Sequence, residues 1–168
     1  MDLDAHAELM RTRTALVVAD WKIDPRAVVA TCRVQGHAAL RIVVPAWLHG
    51  LDWAGDPRAS VACATRQLER LLQLCTAAGV HVESAAVGDP DPLSAIDDAL
   101  AAGRADEILL FANGRHVARH YPLSLANRAE RLTGLRVQRI AAPRVARGRR
   151  RLVLADGHCE PGRQPQAA

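Results

Sequence analysis

The side chains best suited to chemistry lie close together in the segment ANGRHVARHYPLS, residues 112–124. Arg115, His116, Arg119 and His120 could bind an anion through side-chain cations, or the segment could be a basic loop that faces solvent. The two histidines are four residues apart, a spacing that could hold a metal ion on a helix. Because no third ligand lies nearby in the sequence, we expect no metal site here.

A second candidate is Asp20, which closes the apolar run ALVVAD. Its carboxylate could contact a ribose or a bound cation, or it could cap a local turn. Trp47 and Trp53 follow the second apolar run and could stack on a base. We expect them rather to cover the edge of a sheet or a dimer partner.

The sequence lacks the motifs of the common catalytic sites. It contains no P-loop, no nucleophile elbow, no dinucleotide-binding fingerprint and no metalloprotease motif. We therefore predict that the protein is not an enzyme. An enzyme that acts on an adenylated or phosphorylated small molecule is the alternative in that class, and no residue set supplies its chemistry.

The elements that would position these residues are visible as apolar runs and helix caps. Five runs have the length of strands: residues 15–19, 40–44, 80–83, 107–111 and 135–140. The first, second and fourth are nearly continuous, as in strands covered on both faces, whereas the third and fifth alternate, as at sheet edges.

Helical segments separate these runs, and they begin and end with the same kinds of residue. Three begin with a capping aspartate followed by proline, at Asp24-Pro25, Asp56-Pro57 and Asp91-Pro92. Three end at a glycine expected to adopt a left-handed conformation, at Gly36, Gly79 and Gly103. A fourth helix is expected over residues 123–133. This alternation predicts an α/β fold with a doubly wound, five-stranded parallel sheet and helices on both faces.

Charge and composition narrow the class of protein. The 168 residues are 49% hydrophobic but 3% aromatic, so the core must consist of aliphatic side chains. Residues 144–168 hold six arginines against two acidic residues, which accounts for the whole net charge of +4. The remainder is neutral, so nucleic acid would be a weak partner, bound through this tail alone.

No signal peptide or membrane-length apolar run is visible, and we expect a cytoplasmic protein without a membrane partner.

The domain is expected to span residues 12–143, with a short extension at 1–11 and a basic, disordered tail at 144–168. Within the tail, RRRLVLADGHCEP resembles the segment TRTALVVADWKIDP at residues 12–25. The tail could therefore be the vestige of a second repeat, or a strand added to a sheet edge.

Four features in order resemble the universal stress protein family, which belongs to a wider group of adenine-nucleotide-binding α/β domains. They are the strand ending in Asp20, the long connection VVPAWLHGLDWAGDPRAS, the long helix that ends at Gly79, and residues 88–108. The last stretch contains Gly-Asp-Pro, Ile-x-x-Ala and Ala-Asp-x-Ile. The resemblance implies strand order 3-2-1-4-5 and a ligand crevice between the first and fourth strands. It also implies that Asp20 and the backbone of Ala46 hold a nucleoside.

The phosphate-binding half of the family site is degraded in this sequence. Gly114 could be one glycine of the family's loop, but Val117 takes the place of its partner. Ser124 matches the family's serine, preceded by Leu123 instead of glycine. Since backbone N–H groups need glycine to approach a phosphate closely, we do not expect ordinary ATP binding. The candidate ligand-binding residues are Asp20, Ala46, Gly88, Asn113, Gly114, Arg115, His116 and Ser124.

Two functions of different classes follow from the resemblance. The first is a stress-response or regulatory module with no firm cofactor, which forms a homodimer through an edge strand and could bind a further protein partner. The second is a switch that binds ATP or AMP with Mg²⁺, in which the loop rich in arginine and histidine replaces the glycines.

Overall fold

The computed structural model describes residues 13–48, 57–112 and 124–141. Its five strands are β1 (Thr14–Ala19), β2 (Ala39–Pro45), β3 (Val82–Gly88), β4 (Glu107–Ala112) and β5 (Arg136–Ala141). Its four helices are α1 (Pro25–Gln35), α2 (Pro57–Ala77), α3 (Pro92–Ala101) and α4 (Leu125–Thr133). The strands form one sheet in the order β3-β2-β1-β4-β5, and all pairs are parallel. The predicted fold class and strand order are confirmed.

Helices cover both faces of the sheet, because side chains of the central strands point alternately to either side. On one face, Val17 and Phe111 pack with buried residues of α1 and α2, such as Val28 and Leu71. The opposite face carries a second core, in which strand residues pack against α3 and α4: Leu16, Val18, Leu110, Ile96 and Ala129. Buried strands of this kind explain the continuous apolar runs of β1 and β4.

Local capping residues begin the helices as the sequence predicts. The Asp24 carboxylate accepts a hydrogen bond from the backbone N–H of Arg26 at 2.9 Å. At the start of α3, the Asp91 side chain accepts from the backbone N–H of Ser94. The predicted cap at Asp56 lies outside the described residues. Gly36 ends α1 in the left-handed conformation, with φ of 68°.

The prediction that Gly103 ends a helix in the left-handed conformation is wrong. The residue that caps α3 is Ala102, in the right-handed conformation, and Gly103 is not among the glycines with positive φ. A β-carbon at this position would overlap the guanidinium of Arg41. Gly103 is therefore needed because a side chain from β2 occupies that space.

The predicted third strand was also wrong in its extent. Residues 80–83 were expected, whereas β3 begins at Val82 and continues to Gly88. Pairing with β2 sets this length, because the residues of β2 from Leu40 to Pro45 pair with β3 from Val82 to Gly88, with one shift of register between Leu40 and Arg41. The backbone N–H of Val80 instead donates to Cys75 O at 2.9 Å, so Val80 belongs to the turn that ends α2.

Two polar contacts fix the amino ends of the central strands. The backbone N–H of Thr14 donates to the Asp106 carboxylate at 2.8 Å, which joins β1 to the residue before β4. In addition, His37 Nε2 and Glu107 Oε1 lie 2.8 Å apart, and their side chains are 1% and 2% exposed.

In the part of the chain described, no helix is long and apolar enough to cross a membrane. The extension at 1–11 and the tail at 144–168 lie outside the described residues.

Candidate functional site

The crevice that the fold offers to a ligand begins where β1 and β4 end. The backbone N–H of Asp20 donates to Phe111 O at 3.0 Å, which continues the pairing of the two strands by one residue. The helix that follows β1, α1, packs on one face of the sheet, whereas α4, the helix after β4, packs on the other. Doubly wound sheets bind ligands at such a switch point.

Asp20 lies at the base of this crevice and is 1% exposed. Its Oδ1 accepts a hydrogen bond from the backbone N–H of Lys22 at 2.9 Å. Its carbonyl accepts from Ile23 N at 3.1 Å. The side chain therefore caps the turn after β1, which was one of its two predicted roles. Contact with a ribose or a cation stays a prediction.

Two side-chain hydrogen bonds connect this turn to other parts of the chain. Gln67 on α2, 4% exposed, donates through Nε2 to Ile23 O at 2.7 Å. Trp21 donates through Nε1 to Trp47 O at 3.0 Å, which links the segment after β1 to the segment after β2. The Lys22 ammonium lies 4.7 Å from the centre of the Trp21 ring. The position of the Asp20 carboxylate is thus fixed before any ligand arrives.

Sequence reasoning missed Gln67, although a signal for it exists. Ser60, Ala64, Gln67 and Leu71 are all buried and recur at helical spacing along α2. A polar residue in such a stripe has to find a partner inside the protein. Its partner here is the carbonyl of Ile23, which the helical pattern alone does not identify.

Ala46 and Gly88 lie together at the carboxyl ends of β2 and β3. The backbone N–H of Ala46, which is 1% exposed, donates to Gly88 O at 3.1 Å. A nucleoside contact through Ala46 would therefore have to use its carbonyl. A β-carbon on Gly88 would lie 2.6 Å from Ala95 Cβ and 2.8 Å from Val43 Cγ2. Gly88 thus allows α3 to pack closely on the sheet, and its role as a ligand residue stays a prediction.

Ser124 lies at the start of α4 and is 5% exposed. Its Oγ accepts a hydrogen bond from the backbone N–H of Asn127 at 3.4 Å, the contact of an N-cap. The other residues predicted for the phosphate end of the site, Asn113, Gly114, Arg115 and His116, lie outside the described residues. The structure therefore describes four of the eight predicted ligand-binding residues, and their contact with a nucleotide stays a prediction.

The described residues were also compared with what a metal site or a reactive thiol would need. Nowhere in residues 13–48, 57–112 and 124–141 do three or more His, Cys, Asp or Glu side chains group closely enough to hold a metal ion. Cys32 and Cys75 are buried free thiols. Burial, with a smaller contribution from Cys75, raises the pKa of Cys32 to about 12. A thiol that stays protonated at neutral pH is a poor nucleophile.

Comparison with known proteins agrees with this architecture. No protein-family model matches the sequence. No curated protein matches it either. Among solved structures, the chain is similar to a universal stress protein from Archaeoglobus fulgidus, with a TM-score of 0.50 and 18% sequence identity. The similarity covers 80% of this chain and 97% of the other. The chain therefore has the universal stress protein fold, as the sequence resemblance predicted.

Proposed function

We propose that this domain is a regulatory module of the universal stress protein type, which serves in a stress response without catalysing a reaction. The observation that carries the proposal is that the protein uses the described groups of the crevice for its own structure. Asp20 caps a turn, the N–H of Ala46 pairs with Gly88, and Ser124 caps α4. Each of these groups already has a hydrogen-bond partner within the protein.

The sequence of the loop after β4 supports the same conclusion. Val117 and Leu123 stand where the resemblance calls for glycine, so we expect side chains to obstruct the backbone N–H groups that would surround a phosphate. A module of this kind would act through a protein surface. We place its homodimer contact at β3 or β5, because these strands form the two edges of the sheet.

The second candidate is a nucleotide-binding switch, and a specific observation favours it. A carboxylate that is 1% exposed lies at the switch point of the sheet, in a turn held by Gln67. Preorganised polar groups of this kind usually serve recognition. In this alternative, Asp20 would hold the ribose of ATP or AMP. Arg115 and His116 would supply the positive charge that the glycine loop no longer provides.

Two measurements on the full chain test the proposal. Incubation with ATP and Mg²⁺ should release no phosphate above the rate of a buffer blank. Isothermal titration with ATP, ADP and AMP should give no saturable heat at millimolar ligand. Turnover that scales with protein concentration would overturn the non-catalytic proposal, and a saturable heat would favour the switch.

A further inference from the structure

A groove separate from the crevice lies on the face of the sheet covered by α3 and α4. It runs between α3 and the strands β2 and β3, with a volume of about 220 Å³. Its walls are small and apolar, formed by Val43, Ala86, Ala95 and Ala99 among others. Arg41 stands in the same groove. A narrow, mainly apolar groove that contains one cation has the character of a small-molecule site.

Arg41 is a buried cation that makes no ion pair among the described residues. The residue is 5% exposed, in the middle of the apolar strand β2. Its Nε donates to Ser84 Oγ at 2.9 Å, whereas its Nη1 is buried and has no hydrogen-bond partner. Among the described residues, no carboxylate lies within ion-pair distance of this guanidinium.

The end of α3 offers Arg41 only partial compensation. The guanidinium packs against Gly103, directly after the helix, where the last carbonyls carry a partial negative charge. A helix terminus represents about half an elementary charge, and burying a full charge without a partner is costly. The missing interaction is one that an anion in the groove would supply.

We propose that the groove beside Arg41 binds a small organic carboxylate. The guanidinium offers N–H groups in the planar arrangement that matches a carboxylate. Asp89 and Asp98 also line the groove, and their charges oppose a dianion such as phosphate more strongly than a monoanion. The walls of alanine and glycine admit a slender aliphatic body. Gly88 is the one residue that this site shares with those predicted for the crevice after β1.

An NMR titration of the full chain tests the proposal directly. Sodium butyrate is added at constant ionic strength, balanced with chloride, up to ~50 mM, which would fill a site with Kd of ~1 mM. The amide signals of Ser84 and Gly103 should shift saturably in the wild type and in Asp20→Asn. Phosphate should give weaker, non-saturating shifts. The absence of saturation with butyrate, or tighter binding of phosphate, would overturn the assignment.

Three variants separate a ligand role of Arg41 from a purely structural one. Arg41→Lys should weaken butyrate binding roughly 10-fold, because the ammonium lacks the planar fork. Asp98→Asn should tighten binding, since it removes a negative charge from the groove. Arg41→Met should lose binding while its Tm in carboxylate-free buffer equals or exceeds that of the wild type. A lower Tm for Arg41→Met, with no effect of Asp98→Asn on binding, would show that Arg41 only caps α3.

Discussion

The guanidinium of Arg41 on β2 lies directly against Gly103, the residue that follows the cap of α3. A β-carbon on residue 103 would overlap Nη1 and come within 2.8 Å of Nη2. Two positions far apart in the sequence therefore constrain each other. The arginine requires a glycine, and the glycine allows a cation to approach the end of a helix.

Gly103→Ala should destabilise the domain by ~1–3 kcal/mol, because the new methyl group forces the buried guanidinium or α3 to move. Urea unfolding followed by circular dichroism measures this loss. In an Arg41→Ala background the same substitution should cost little, which corresponds to a coupling energy of at least ~1 kcal/mol. Gly36→Ala is the matched control. Gly36 has φ of +68° and nothing within 4 Å of an added β-carbon, so its cost should not depend on residue 41.

A second double-mutant cycle concerns His37 and Glu107, whose buried side chains lie 2.8 Å apart. Glu107→Leu alone should cost ~3 kcal/mol or more, because a buried polar ring loses its partner. The double variant His37→Leu with Glu107→Leu should recover most of that loss. Chemical denaturation of the four proteins gives the coupling. Strictly additive losses would show that the two residues do not act as a pair.

From the pKa of the Cys32 thiol we predict how the free energy of unfolding changes at alkaline pH. Burial raises its pKa from 9.0 to about 12. The unfolded chain therefore releases the thiol proton near pH 9, while the folded protein keeps it until near pH 12. Fewer protons are bound by the unfolded state in this window, so the stability falls as pH rises. Between pH 8 and pH 10.5 this group should account for a loss of ~1–2 kcal/mol.

Cys32→Ala provides the comparison for that prediction. The variant loses packing at every pH, but its stability should decline less steeply above pH 9 than that of the wild type. Reaction with a thiol reagent at pH 8 should also be slow for Cys32 in the folded protein, since the thiolate is scarce and buried. Equal slopes for the two proteins, or rapid labelling of Cys32, would contradict the assigned pKa.

Features set by neighbouring residues were predictable from the sequence. The caps at Asp24 and Asp91 act over two or three residues. The strands β1 and β4 are buried along their length, and the sequence shows this as continuous apolar runs. Gly103 was misinterpreted because its reason is Arg41, a contact that only the folded sheet creates. The length of β3 likewise depends on pairing with β2.

The sequence predicted where two candidate residues lie in the fold, whereas their roles in ligand binding stay predictions. Asp20 directly follows β1, and Ser124 directly precedes α4. The hydrogen bonds of Gln67 and Trp21 could not be predicted, because their partners are backbone carbonyls of distant segments, at Ile23 and Trp47. The proposed roles of residues 113–116 stay predictions.

The most direct measurement of the central claim is thermal unfolding with ATP, ADP or AMP and Mg²⁺, on the wild type, Asp20→Asn and Asp24→Asn. Both aspartates accept a backbone N–H at 2.9 Å, from Lys22 and Arg26, but only Asp20 lies in the crevice. Asparagine keeps an acceptor oxygen in each turn, so the two variants are matched.

Ligand at 100 times its Kd would add ~2.7 kcal/mol to the stability, a rise in Tm of several degrees. The regulatory module that we propose predicts no nucleotide-dependent rise in any of the three proteins. A rise in the wild type and in Asp24→Asn that disappears in Asp20→Asn would contradict it and establish a nucleotide site between β1 and β4.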